Sequence, residues 1–559
     1  MVTASERDAQ LLGVQPKSSM NDDGPSLDAI AEPHEHTNDE EKPPVYLTGI
    51  RFWLITASLA TALFVTNLEI PIVTTSLVAI TNDFGNADNV GWVISSYLLG
   101  YVSVLVICAK LSDILGRKLM MSISLFLFIV FSAGCGAAQN FVQLAILRAF
   151  QGVGGAGCFA VATATMSDMV APEKLAKYVA NLSAVYALSL LIGPIVGGAL
   201  SSTTTWRWVF LINIPVATPA LIIIILAIPP NFPRHGQTKI RRRTFKSLLT
   251  TETRRRLDFV GAAMLLLATL SLTAAFEEAG SQFPWKSAYV ITLLVVSGVI
   301  WIALLYWEHI ITLRASVMEP VLPWHFFKNR AMLSLLLNAL FLGGPWFVAI
   351  FQLPQRFQVV HGSSGTMAGV QTMPFTFAAP LGSAIASILA KKGPAVYVVI
   401  MAGIFQTIGF ALLASVPIST SVPARMYGFQ VIAGFGCGIN ISTLLLLVPF
   451  VVEYRHKAVG MGAVTQLRIM GGAIVLAIAT SVFNSFANPL LAEYLSRYNI
   501  TRDAIFSAEG LATLTVADQE AIRAILAQGY NKQMIVLAAF AAAQIPTSFL
   551  MWRKEQIRV

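Results

Sequence analysis

Long apolar runs dominate the chain from Arg51 onward, with only short polar stretches between most of them. A helix needs about 20 apolar residues to cross roughly 30 Å of hydrocarbon. On that criterion fourteen spans are predicted, over residues 52–79, 92–109, 119–138, 141–165, 179–200, 208–228, 259–276, 288–307, 331–351, 367–389, 395–415, 426–450, 459–482 and 533–551. Such runs are too long and too apolar for barrel strands. Within hydrocarbon every backbone N–H and C=O must find a partner in its own segment, which makes the runs helices. The pattern predicts an all-α polytopic membrane protein.

Composition supports this reading. Hydrophobic residues make up 55% of the 559 and charged residues only 12%, where soluble domains carry about 25% charged residues. The three or four soluble domains that length alone would suggest are therefore excluded. The net charge of +9 does not indicate nucleic-acid binding, because of where the charges lie. Residues 1–50 hold ten acids against three bases, a net of −7, which leaves +16 for the rest. That tail is poor in aromatics and reads as a disordered acidic N-tail without a signal peptide.

The bases set the orientation. With the N-tail in the cytosol and the spans alternating, 28 of the 38 Lys and Arg residues fall on the inward side, eight on the outward side, and two, Arg148 and Arg468, within spans. By the positive-inside rule both termini are cytosolic. The largest inward cluster is the loop 229–257, with Arg241–Arg243 and Arg254–Arg256. It is either an orienting loop against anionic headgroups or a partner or regulatory site. A long outward loop, 483–532, carries the N-glycosylation acceptor Asn499-Ile500-Thr501, while similar triplets at Asn181 and Asn440 fall inside spans. The four cysteines and seven histidines show no metal-ligand spacing, and the chain has no Gly-Lys dipeptide for a phosphate loop. No cofactor, no metal, no nucleic-acid partner and no enzymatic activity are expected.

Several short motifs carry more specific chemistry. Ala109 to Lys118 joins spans two and three: Gly116 permits a tight turn, Arg117 and Lys118 hold the loop at the cytosolic face, and Asp113 can face a neighbouring helix end. Span four contains Leu144-x-x-x-Arg148-x-x-Gln151-Gly152-x-Gly154-Gly155-Ala156. An arginine inside a span is unfavourable by several kcal/mol and marks either a functional site or a buried ion pair that fixes packing. Gly193-Pro194-Ile195-Val196-Gly197-Gly198 in span five allows a kink and close helix approach. Trp206-Arg207-Trp208-Val209-Phe210-Leu211-Ile212-Asn213-Ile214-Pro215 follows. Span one carries Leu68-Glu69-Ile70-Pro71-Ile72-Val73, and span thirteen carries Leu467-Arg468-Ile469-Met470-Gly471-Gly472. Glu69 is either a proton carrier or a residue at the outer interface. Arg468 can pair with a carboxylate, face an anionic substrate, or serve helix packing.

These elements resemble motifs A, B and C of the major facilitator superfamily, in its fourteen-span drug:proton antiporter branch of fungal toxin and multidrug exporters. There are departures: Ala109 replaces the first glycine of motif A, Glu69 an aspartate, and Val475 a later glycine of span thirteen, while the second-half copy, Lys391-Lys392-Gly393, lacks the aspartate. The resemblance covers residues 46–552. It implies a six-helix bundle over 51–228, two inserted helices over 258–308, a second six-helix bundle over 309–552 and a cytosolic tail over 553–559. It further implies a cavity lined by spans one, four, nine and twelve, with Asn67, Gln151, Asn338, Trp346, Gln430, Asn440 and Arg468 as candidates. Glu69 and Arg148 would couple protons, and Asp113, Gly116, Arg117, Lys118, Gly193, Pro194, Gly197 and Gly198 would serve the conformational change. The implied function is proton-coupled efflux of amphipathic small molecules, by a monomer in the plasma membrane. Alternatives with the same fold are a vacuolar amino-acid transporter or a siderophore transporter, and more remotely a non-transporting nutrient sensor.

Overall fold

The computed structural model describes residues 46–84, 92–230, 232–233, 255–279, 283–314, 318–419, 421–498, 514–553 and 556–557. The acidic N-tail up to residue 45, most of the central basic loop and Asn499 lie outside the described residues.

Among the described residues, fourteen helices are long and apolar enough to cross a membrane. They are α1 (Gly49–Thr74), α2 (Trp92–Leu115), α3 (Arg117–Ala137), α4 (Phe141–Met169), α5 (Pro172–Thr203), α6 (Trp208–Ala227), α7 (Phe259–Glu278), α8 (Ala288–Arg314), α9 (Arg330–His361), α10 (Gly365–Lys392), α11 (Ala395–Ala414), α12 (Arg425–Val451), α13 (Lys457–Tyr498) and α14 (Val516–Ser548). Polar residues mark several starts. Asn140, Asp258, Asn329, Ser364 and Thr515 each accept a hydrogen bond from a first-turn backbone N–H, which otherwise has no partner inside the helix. Pro172 opens α5, where a missing N–H does no harm. Gly116 joins α2 to α3 at φ 98°, a left-handed turn that a side chain would strain.

Two stretches depart from the hydropathy reading. Span one ends at Thr74, and a short helix, Leu77–Phe84, follows it. Much of the segment 483–532, expected as an outward loop, is helical: α13 runs on to Tyr498 and α14 begins at Val516. Phe483, Ala487 and Leu491 pack there against Ile522, Leu526 and Tyr530, with Val359 and Val360 of α9 alongside. Arg356, beyond the predicted end of span nine at residue 351 and so one of the eight outward bases, lies buried in α9 and donates to Asn531 Oδ1 at 2.8 Å.

Helices α1–α6 and α9–α14 form two six-helix bundles, with α7 and α8 inserted between them in sequence. An internal repeat underlies the bundles. Gly152 and Gly154 of α4 sit on the backbones of α2 at Tyr97 and of α3 at Phe128; Gly434 and Gly436 of α12 sit likewise on α10 at Phe375 and α11 at Gln406. In this register Arg148, four residues before Gly152, corresponds to Gln430, four residues before Gly434. One side chain of the second bundle meets both the inserted α7 and the first bundle: Gln466 of α13 donates to Thr269 Oγ1 of α7 at 3.1 Å and accepts from the Val106 N–H of α2 at 3.1 Å.

Candidate functional site

A central cavity lies between the bundles. Asn67 of α1, Thr163 of α4, Tyr186 of α5, Trp346 of α9, Ser383 of α10 and Arg468 of α13 are among its lining, and most other wall residues are apolar. Space open to the centres of water molecules amounts to about 50 Å³, a few waters' worth. A drug-sized ligand therefore requires the bundles to part.

Of the residues expected at the cavity, Asn67, Trp346 and Arg468 line it. Gln151, Asn338, Gln430 and Asn440 do not; all four are fully buried inside a bundle. Gln151 belongs to the Glu69 cluster described below. Asn338 donates to Ser334 O at 3.0 Å and accepts from Ser548 Oγ at 3.2 Å. Asn440 donates to Gln544, whose amide in turn donates to Gln406 Oε1 at 3.0 Å. Neither amide atom of Gln430 has a hydrogen-bond partner among the described residues.

Beside the cavity, within the first bundle, Glu69 and Arg148 form an ion pair of 2.7 Å with both side chains fully sealed from solvent. Gln151 donates to Glu69 Oε1 at 2.5 Å and to Ser132 Oγ at 2.7 Å, and Asn213 of α6 also donates to Glu69 Oε1. Arg148 donates to Gln151 Oε1 at 2.8 Å and to Val93 O at 2.9 Å, and its guanidinium carbon lies 4.5 Å from the Tyr97 ring centroid. An isolated buried charge is prohibitive, so this carboxylate persists only because it gathers its cation and amide donors from α4 and α6. Asn213 stands in the Trp-Arg-Trp run without an assigned role at the level of sequence, and Ser132 carries no sequence signal.

Motif C backs this cluster. A side chain on Gly193 would meet Pro71 Cγ at 2.6 Å, and one on Gly197 would clash with Ile72 O and Thr75, so both glycines let α5 lie against α1 just beyond Glu69. Gly198 faces open space instead, and Pro194 lies inside α5.

Motif A ties the two bundles together. Arg117 pairs with Asp113 at 2.7 Å and with Asp168 at 3.0 Å, and donates to Ser112 Oγ at 2.5 Å. Asp168 then pairs with Lys457 at 3.3 Å, and Lys457 donates to Ser167 O at 2.7 Å. Lys457 opens α13, so this chain of charges runs from one bundle to the other. Lys118 donates to Ile228 O at 2.9 Å. Nearby, Glu319 pairs with Lys110 at 2.8 Å and with Arg256 at 2.5 Å. Burial acts to raise the Glu319 pKa, but the two cations outweigh it and hold the carboxyl down at about 2. Asp168 and Lys457 resemble ordinary span-end charges in the sequence, which is why their pairing is invisible there.

Comparison with known proteins agrees with this architecture. The Major Facilitator Superfamily profile matches residues 57–476. The Fusarium mangiferae protein called MFS-type transporter FPY5 is 38% identical over 521 residues, covering 93% of this chain and 86% of its own. Efflux pump FUS6 of Gibberella fujikuroi is 28% identical over 462 residues, covering 82% of this chain and 80% of its own. A solved bacterial homolog of the human lysosomal transporter Spinster, inward-facing and unoccupied, shares the fold with a TM-score of 0.55 at 16% identity, over 90% of this chain and 97% of that one. With fourteen apolar helices, two repeated bundles and these matches in hand, the chain is a multi-pass membrane protein that belongs to the Major Facilitator Superfamily.

Proposed function

We propose that this protein exports amphipathic small molecules, such as secondary metabolites, mycotoxins or drugs, in exchange for protons by alternating access. The observation that carries this reading is the sealed pair between Arg148 of α4 and Glu69 of α1, the helix that also presents Asn67 to the cavity. Export is supported by the motif C packing of α5 on α1 and by a relative named as an efflux pump.

A proton arriving at Glu69 neutralises the carboxylate and removes the attraction that holds α1 to Arg148. Pro71, two residues further along α1, abuts Gly193 of α5, so a shift of α1 is passed to α5 and thence to the facing bundle. Separation of Asp168 from Lys457 then opens the cavity on the motif A side, which we place in the cytosol with both termini. Release of the proton restores the pair and resets the cycle. The proposed setting is the plasma membrane, as a monomer, with Asn499 on the outer side open to glycosylation.

Transport into inverted vesicles tests the direction and the coupling together. Accumulation of a fluorescent substrate should follow the imposed pH gradient and stop when a protonophore collapses it. Accumulation that continues unchanged without the gradient would refute proton coupling.

A further inference from the structure

Arg468 is the cation of the central cavity, and it stands alone there. It is 7% exposed, lies at the wall of the cavity on α13, and makes no hydrogen bond or ion pair with any described residue; its Nε is sealed without a partner. The other buried arginines among the described residues have side-chain partners: Arg148 pairs with Glu69, Arg117 with Asp113 and Asp168, and Arg356 donates to the neutral amide of Asn531. A guanidinium held away from bulk water without any hydrogen-bond partner is unfavourable, and because Arg468 lies at the cavity wall a visiting anion can reach it. The rest of the wall narrows what that visitor is. Neither Asp nor Glu is among the lining residues, so no carboxylate there offsets the Arg468 charge or pairs with a cationic molecule. Tyr186 and Trp346 form an inclined aromatic pair, centroids 5.8 Å apart at 36°, and Trp346 continues onto Phe375 at 5.6 Å. Trp346 Nε1 donates to Tyr186 Oη at 3.2 Å, which leaves the tyrosine hydroxyl hydrogen for another acceptor.

We propose that the cavity selects amphipathic organic anions: molecules with a carboxylate or an ionised acidic hydroxyl beside a planar apolar group. The anionic oxygens accept from Arg468 and Tyr186 while the apolar group lies against Trp346, replacing water on both sides. This deepens the export reading by naming the class of substrate, and it rests on that reading only for the role of the cavity. Since it concerns binding at equilibrium, it stands or falls separately from proton coupling.

Three probes with one fluorophore supply the test: dansylglycine, dansylamide and dansylcadaverine, which are anionic, neutral and cationic. Binding to the full chain in lipid nanodiscs is read by energy transfer from tryptophan, without a pH gradient and against protein-free nanodiscs. Dansylglycine should bind about tenfold or more tighter than either of the others. That preference should fall to about onefold in Arg468→Gln and return in part in Arg468→Lys. Benzoate should displace dansylglycine, and inorganic phosphate should not, because the site asks for an apolar body as well as a charge. Equal or weaker binding of the anion in the unaltered protein would overturn the proposal, which keeps the test decisive even if the glutamine variant folds poorly. So would a preference that survives Arg468→Gln, or displacement by phosphate as effective as by benzoate.

Discussion

Glu69 Oε2 and Arg148 Nη1 meet 2.7 Å apart in the centre of the first bundle, where neither side chain is reached by solvent. In the second bundle the position of Arg148 is taken by Gln430, and the buried cluster further along, Asn440 of α12 with Gln544 of α14 and Gln406 of α11, is made of neutral amides. The repeat thus places its carboxylate–arginine pair on one side only. A charge pair in this setting contributes little net stability over an apolar substitute of the same shape, whereas half of it is costly.

Arg148→Met alone should destabilise the fold by about 3–5 kcal/mol, because it leaves the Glu69 carboxylate buried with amide donors only. Adding Glu69→Gln should recover most of that loss. Thermal unfolding of the purified full chain checks this, and all variants should be inactive in transport. A double variant as unstable as the sum of the two single changes would show that the pair is not the unit described.

The motif C glycines are separable. Gly197→Ala drives a methyl group into Ile72 O and Thr75 on α1, and should destabilise the protein by about 1–3 kcal/mol and impair transport. Gly198→Ala meets nothing within 4 Å and should be neutral or stabilising by up to about 1 kcal/mol, through helix propensity. Melting curves for the two variants provide the comparison.

Lys457→Gln removes the cation from the inter-bundle bridge to Asp168. A cysteine introduced at Met461, which lines the cavity, then reports opening on the motif A side. Its labelling by an impermeant maleimide should speed up by about 2–10-fold, as expected for a loss of about 0.5–1.5 kcal/mol from the closed form. The four native cysteines are buried and give a low background. An unchanged labelling rate would remove the bridge from the gating account.

The charges at that end should not set the pH response. Glu319, held at about 2, stabilises the fold fully above its ordinary value of 4.5 and loses this contribution as pH falls towards 2. Burial first, then Lys110, His325 and Arg455, push His456 down to about 4, so it stays neutral from about pH 7.5 down to about pH 5. Glu319→Gln should therefore lower the melting temperature equally at about pH 7.5 and 5.5, with the difference narrowing below about pH 4. The pH midpoint of transport should not move.

Much of this architecture is legible in the sequence because the bilayer imposes simple rules. A span is about 20 apolar residues, and a charge within one needs a reason, which singled out Glu69, Arg148 and Arg468. Helix rotation is not legible in the same way. When lipid and bundle core are both apolar, the amphipathic signal is flat, so Gln151, Asn338, Gln430 and Asn440 could not be told from cavity residues. The ends of α13 and α14 failed for the opposite reason. Glu493, Arg497, Asp518 and Arg523 lower the hydropathy there, yet Ala487 and Leu491, like Ile522 and Leu526, recur at helical spacing and pack together. Pairings such as Asp168 with Lys457 depend on how two bundles meet, which local pattern does not encode.

The central claim is that Glu69 carries the exchanged proton. The full chain, reconstituted with a pH dye inside the vesicles, offers the most direct measurement: dansylglycine is added on the motif A side, and proton movement is followed together with probe movement. The account predicts that protons move opposite to the probe, and that Glu69→Gln abolishes proton movement while the protein still binds the probe. Proton-coupled transport that persists in Glu69→Gln would contradict it.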